Sequence, residues 1–450
     1  MKIWQRSAVV LLGVAWAFWF LPEVALAHGV GGREDLPIPL STSSIVAIVV
    51  IVVSFVLLGS LWPTPRLQDG PRQRKLGGAR LSWLLWPVRV AGLLFLGIVI
   101  AGGLVGEPRA SFSMSPYLVY VLLFLIVPFV GAAVGNVYAQ TNPWRTVASA
   151  LGFPERPVPS RLGVWPAVLA FFVFTWFELA SVTGGEPRTL SLFAIAYTGW
   201  LVAWTARFGA DNALRTADGF TTYNRLISAI APIGRAADGD GWVWRGWLRA
   251  LPVLPRWAGL TPFVLVMIGT VTFDGLSSTQ RWLAWFGEVE SFVWFKTIAM
   301  VAITALIGLA YYGASWAAIK LGESERTVRE VADSFAHTLV PIGLAYAFAH
   351  YFTLVLFEGQ KLLSTISDPF DFGWNLFGTA QWKIVYWFPT DGIWWVQLGA
   401  IVVGHVVGVV LAHDRALADF GGVKAVRSQW AMLGLMVLLT LLGLFILAEG

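Results

Sequence analysis

The sequence predicts an all-α membrane protein, built as a polytopic bundle of about ten transmembrane helices. Hydrophobic residues make up 57% of the 450 residues and charged residues only 13%, against roughly 25% charged residues in a soluble domain. The 25 tryptophans are typical of chains that cross membrane–water interfaces. The apolar residues also fall into segments close to the roughly 20 residues that a spanning helix needs. Helices are expected because they satisfy their own backbone polar groups in lipid.

The first 27 residues predict a cleaved signal peptide. Lys2 and Arg6 give a basic start, residues 8–21 form an apolar run, and an A-x-A cleavage site ends at Ala27. Cleavage at this site leaves His28 as the mature N-terminus, with a free α-amine beside its imidazole. Because a signal peptide directs export, the mature N-terminus is expected on the outer side of the membrane.

The mature chain, residues 28–450, is expected to form one transmembrane domain. Two of the predicted spans, 190–206 and 260–275, are the shortest and the least strongly supported. In chain order, the ten predicted spans are 45–62, 82–104, 117–138, 163–182, 190–206, 260–275, 295–316, 334–356, 392–411 and 429–447.

The basic residues predict the orientation of these spans. Five alternate loops hold 21 Lys and Arg residues and the other five hold 6, so the positive-inside rule places the first set in the cytoplasm. Both termini then lie outside, with a long cytoplasmic loop at 207–259 and an aromatic extracytoplasmic loop at 358–391. Within the cytoplasmic loop, an interfacial or re-entrant helix is expected. The net charge of +5 therefore reports orientation, and no nucleic-acid partner is expected.

Ionisable residues inside spans are the candidate functional groups, because burying them in lipid is costly. The predicted topology brings Glu178, Asp274 and Glu358 to the outer ends of three spans, and His350 lies in the outer third of the eighth. His28 starts in the same layer. The three carboxylates are candidate catalytic groups. In the alternative interpretation, these residues are separate solvated helix ends without a shared function.

Three histidines, His28, His350 and His405, are the candidate metal ligands. Imidazoles and carboxylates together suit a divalent metal such as Zn²⁺ or Cu²⁺, which would supply a hydroxide nucleophile by lowering the pKa of bound water. An N-terminal histidine would also bind copper through its amine and its ring. A haem is not expected, since His350 and His405 should differ in depth by about 8 Å, whereas two axial imidazoles lie at one level.

Six segments, spread in order from the signal peptide to the ninth span, carry a family resemblance. They are AHGVGGREDLPIPL (27–40), TNPWRTVASALG (141–152), FELASVTGGEPRTLSLFAIAY (177–197), GTVTFDGLSST (269–279), HTLVPIGLAYAFAHYFTLVLFEGQ (337–360) and GHVVGVVLAHDRAL (404–417). Together they resemble a group of multi-pass bacterial membrane proteins, the fenitrothion hydrolases. The resemblance implies a bacterial inner-membrane protein that hydrolyses an aryl phosphorothioate triester at phosphorus and releases a nitrophenol. Such a neutral, lipophilic substrate would reach an outer-facing site from the lipid.

Three functions remain open from the sequence. The first is a membrane-embedded hydrolase of lipophilic phosphotriester-like substrates, with or without a metal. The second is a metal-handling or transport protein, with copper as the candidate metal, that uses the outer residues as its entrance. The third is a structural subunit of a larger membrane complex, whose partners would be other subunits. All three contact membrane lipids, and only the first two need a bound small molecule or metal ion.

Overall fold

The computed structural model describes residues 37–70, 73–76, 85–106, 109–236 and 241–449. The predicted signal peptide and His28 lie outside the described residues. Within them the chain is an all-α helical bundle, as predicted, and nine helices are long and apolar enough to cross a membrane. A small antiparallel sheet, in the order β1-β3-β2, joins the ends of two connections. Its strands are β1 Arg74–Lys75, β2 Ile233–Arg235 and β3 Trp242–Trp244.

The helices are α1 Leu40–Leu61, α2 Leu85–Val105, α3 Tyr117–Val134, α4 Tyr138–Thr141, α5 Pro143–Leu151, α6 Trp165–Leu179, α7 Pro187–Phe208, α8 Ala210–Ala217, α9 Gly219–Ser228, α10 Leu260–Ser277, α11 Gln280–Glu290, α12 Val293–Gly322, α13 Val328–His350, α14 Phe352–Leu356, α15 Lys361–Thr365, α16 Thr390–Phe420 and α17 Gly422–Glu449. Most helices follow one another with short connections, and the longer connections lie between α1 and α2, between α9 and α10 and between α15 and α16.

All ten predicted spans coincide with helices, but the shortest helix among them is not one of the two spans that the sequence predicted to be short. The two weakest predictions become α7 and α10, with 22 and 18 residues. The short helix is α6, whose 15 residues rise about 22 Å, less than the roughly 30 Å of a hydrocarbon core. It begins beside Pro166, a residue suited to a first turn, and stops before the Gly184-Gly185 turn. Ala180, the residue after α6, is 1% exposed, so the C-terminal end of α6 is buried within the bundle.

Small residues bring α13 and α16 into close contact. A Cβ added at Gly404 would lie 2.2 Å from the Cβ of Ala345, and one added at Gly408 would lie 2.8 Å from Cδ1 of Ile342. Two glycines four residues apart are typical of tightly packed membrane helices. His405 follows Gly404 directly in the sequence and is itself buried.

Part of the predicted cytoplasmic loop folds back into the bundle, as a re-entrant helix would. Eight of the ten residues of α9 are buried, and Tyr223 packs against Phe124 and Phe171 with ring centroids 5.6 and 5.1 Å apart. Asp218 caps this helix by accepting a hydrogen bond from the backbone N–H of Phe220 over 3.0 Å. The hydroxyl of Tyr197 and the amide of Asn142 donate to the same carboxylate over 2.7 and 2.9 Å.

Candidate functional site

Two of the predicted site residues are in direct contact. Nε2 of His350, the last residue of α13, lies 2.8 Å from Oδ2 of Asp274, in the last turn of α10. The hydroxyl of the next residue, Tyr351, donates to the same oxygen over 2.7 Å. The side chains of Asp274 and His350 are 26% and 19% exposed. One carboxylate oxygen therefore holds both an imidazole and a phenol, and neither Asp274 nor His350 is fully buried.

The hydrogen bond to Asp274 determines which ring nitrogen of His350 is available. In a neutral imidazole one nitrogen is a donor and the other an acceptor, so donation from Nε2 leaves Nδ1 as the acceptor. Nδ1 makes no hydrogen bond to any described residue, and it is not among the fully buried polar atoms. The pair has the arrangement of a carboxylate-oriented general base, whose free nitrogen can take a proton.

Glu178, in the last turn of α6, completes the polar centre of the site. Its Oε2 is buried and has no hydrogen-bond partner among the described residues. Its charge acts on Asp274 and Tyr351, so the two carboxylates share one region of the bundle. Two negative charges in a low-dielectric site repel each other strongly, and a bound proton or cation relieves that repulsion. The structure therefore brings Asp274 and His350 into contact, with Glu178 close enough to interact electrostatically with Asp274. The catalytic roles assigned to these residues stay a prediction.

Two tyrosines of the site, Tyr346 and Tyr351, were not predicted from the sequence. Tyr346 is stacked on His350, with ring centroids 6.1 Å apart and planes 19° apart. Its hydroxyl lies against Gly275, where a Cβ would approach to 2.3 Å. Helical spacing was the available signal, because Tyr346 precedes His350 by four residues and side chains at i and i+4 meet on one face. Tyr351 carried no such signal, since adjacent residues on a regular helix diverge and it reaches Asp274 only because α13 ends at His350.

The remaining predicted residues lie apart from this centre. Glu358 follows α14, where its charge acts on Tyr117 at the start of α3, and it makes no hydrogen bond to Asp274 or His350. His405 is 2% exposed and sits deeper, with Nδ1 2.8 Å from the carbonyl oxygen of Ile401.

The described residues contain no group of three or more His, Asp or Glu side chains that could hold a metal ion. Asp274 and His350 supply two ligand types, but their facing atoms are hydrogen-bonded to each other. A divalent metal at this place would need a further ligand, from a shift of Glu178 or from His28, outside the described residues. The expected Zn²⁺ or Cu²⁺ site therefore stays a prediction.

An apolar groove runs between α6 and α7. Its volume is about 460 Å³, within the range of small-molecule sites. Leu169 and Leu192 on its rim are 55% and 56% exposed, so the groove opens to the outside of the bundle, where lipid would lie. Phe177, next to Glu178 in sequence, forms part of its wall. The full lining is Leu169, Ala170, Val173, Phe177, Thr189, Leu192, Phe193, Ala196, Tyr197 and Trp200.

Comparison with known proteins finds no family model, no curated protein and no solved structure that matches the chain.

Proposed function

We propose that this chain is a membrane-embedded hydrolase that acts on lipophilic phosphotriester-like substrates, with the Asp274–His350 pair as its general base. The observation that carries the proposal is the hydrogen bond from Nε2 of His350 to Asp274, which leaves Nδ1 free to accept a proton. The resemblance to fenitrothion hydrolases supplies the substrate class. A bacterial inner-membrane location, with the site facing the periplasm or the exterior, belongs to the same proposal.

In the proposed reaction, Nδ1 of His350 takes a proton from a water molecule as the water oxygen forms a bond to phosphorus. The bond between phosphorus and the aryl oxygen breaks, and the nitrophenol leaves as its anion. Asp274 stabilises the imidazolium that forms, as the carboxylate does in other carboxylate–histidine pairs. The imidazolium then returns its proton to water, which restores the neutral ring. These steps use only water and the described residues. A metal bound with the help of His28 would supply a hydroxide nucleophile in place of water.

The groove between α6 and α7 supports a lipophilic substrate. It opens where lipid would lie and is almost entirely apolar, so a neutral aryl triester would partition into it from the membrane. Phe177 of α6 lines the groove, and the next residue, Glu178, interacts electrostatically with Asp274. The groove and the Asp274–His350 pair are therefore linked through neighbouring residues of α6. The substrate's route is thus part of the proposal, and substitution of groove residues tests it separately from the chemistry.

The test is hydrolysis of a neutral nitrophenyl thiophosphate triester by the purified chain in liposomes, followed through nitrophenolate absorbance. General-base catalysis contributes roughly 100- to 10,000-fold, so His350→Gln and Asp274→Asn should each lower kcat by at least about 100-fold. Asp391→Asn is the matched control, because Asp391 is exposed in the first turn of α16, and it should retain full activity. Equal activity in all three variants would refute the assigned site.

A metal-transport function is the second candidate, favoured by the position of His405. Its Nε2 has no partner among the described residues and lies deeper in the bundle than His350, so the two imidazoles mark a line inward from the outer site. Copper or zinc uptake into proteoliposomes that is lost in His350→Gln, without any triester turnover, would favour transport over hydrolysis. Loss of neither activity on substitution would favour the third possibility, a subunit of a larger complex.

A further inference from the structure

A small cavity lies directly behind the site, between α10, α13, α16 and α17. Its volume is about 20 Å³. Two of the residues that line it carry a polar atom without a partner among the described residues, namely the hydroxyl oxygen of Tyr346 and Nε2 of His405. These two residues are 8% and 2% exposed. Two unpaired polar groups in the interior are costly unless something bridges them.

The donors and acceptors around the cavity are complementary to a single water molecule. Nδ1 of His405 donates to the carbonyl oxygen of Ile401, so Nε2 of the neutral ring is an acceptor. Thr272, also on the wall, donates its hydroxyl proton to the carbonyl oxygen of Ile268 over 2.8 Å, which leaves its oxygen as an acceptor. Tyr346 keeps its proton as a donor. A water that accepts once and donates twice would satisfy all three groups.

Size and charge both favour water over an ion. A cavity needs about 10–15 Å³ to hold one water, and buried waters typically make about three hydrogen bonds. The rest of the wall is apolar, formed by Ile268, Ile342, Leu439, Leu442 and Gly443. No carboxylate lines the cavity, so a dehydrated cation would find no opposite charge there, and burying an unpaired charge is strongly unfavourable.

We propose that this cavity binds one ordered water, which hydrogen-bonds Tyr346, Thr272 and His405 and ties His405 to the Asp274–His350 pair through the stacked Tyr346 ring. His405 is then a positioning residue: it holds the Tyr346 hydroxyl, and the Tyr346 ring holds the plane of the His350 imidazole. This inference does not depend on which reaction the outer site carries out. It also gives His405 a role that needs no metal.

Solid-state ¹⁵N NMR of protein labelled at histidine, in lipid bilayers, tests the water site, since the chain has only five histidines. His405→Asn identifies the His405 signals. The expected result is magnetisation transfer from water protons to Nε2 of His405, and a shift of that nitrogen in Tyr346→Phe. His413 is the internal control, because its two ring nitrogens lie 2.8 and 2.9 Å from Gln429 and Trp62 oxygens, and its signals should not move.

Two results would overturn the proposal. One is a His405 Nε2 signal with no transfer from water that stays unchanged in Tyr346→Phe while the His413 signals are native. The other is a direct coupling between the Tyr346 hydroxyl and Nε2, without a water. If Tyr346→Phe disturbs the His413 signals and so fails as a probe, Thr272→Val replaces it. That variant removes one acceptor from the cavity and should also shift Nε2 of His405, and an unchanged shift would count against the water.

Discussion

The hydrogen bond between Tyr351 and Asp274 gives the sharpest stability prediction. Tyr351→Phe removes only the hydroxyl that donates to Oδ2 of Asp274 over 2.7 Å, and the phenyl ring keeps its packing against Phe124 at 6.2 Å. A hydrogen bond to a charged group contributes roughly 1.5–3 kcal/mol. Asp274 is 26% exposed, so water can replace part of the lost bond. We therefore expect the variant to lose about 1.5–2 kcal/mol of unfolding free energy, the lower part of that range.

The assay is unfolding in mixed detergent micelles at increasing SDS fraction, followed by tryptophan fluorescence. Tyr386→Phe is the matched control, because Tyr386 is 72% exposed, and surface substitutions usually change stability by no more than about 0.5 kcal/mol. A Tyr351→Phe variant as stable as Tyr386→Phe would show that this bond adds nothing to stability, and Tyr351 would then have no part in anchoring Asp274.

Three further predictions concern packing and the groove. Gly404→Ala should destabilise the chain by about 1–3 kcal/mol through overpacking, while Gly399→Ala, on the same helix with open space around it, should be neutral or stabilising; the SDS assay compares them, and equal effects would contradict the close α13–α16 contact. Asp414→Asn should speed proteolysis of the segment after α1, because the Asp414 carboxylate accepts hydrogen bonds from four residues between Trp62 and Gln68. An unchanged cleavage pattern would be evidence that these hydrogen bonds do not hold the segment in place. Leu192→Trp should raise KM for the triester without lowering kcat, because it fills the groove, and a loss of kcat alone would contradict a binding role.

The helices were predictable because length and hydropathy determine them. The bounds of α6 were not, since the apolar run from 163 to 182 continues beyond Leu179 and only local turn geometry ends the helix there. For α9, the sequence predicted either an interfacial or a re-entrant helix and could not decide between them. Its sequence is not apolar enough for a span, and its burial depends on Asp218 finding donors on two other segments, which no local pattern shows.

The site was predictable in part. Depth along the spans was enough to suggest the contact between Asp274 and His350, because ionisable residues inside spans are costly and tend to pair. Depth alone could not show that Glu358 makes no hydrogen bond to either of them. It also could not show that His405 and Tyr346 line the same cavity, because that depends on how four helices pack.

The proposal of hydrolysis at the Asp274–His350 pair is tested most directly by the fate of water oxygen. Wild-type chain and Asp274→Asn, both in liposomes, are incubated with the triester in ¹⁸O-labelled water, and the products are analysed by mass spectrometry. The account predicts that wild type places one ¹⁸O atom in the thiophosphate product and none in the nitrophenol, while Asp274→Asn stays at the level of empty liposomes. Products at the empty-liposome level for both proteins would contradict the hydrolase, and equal labelling by both would contradict this site.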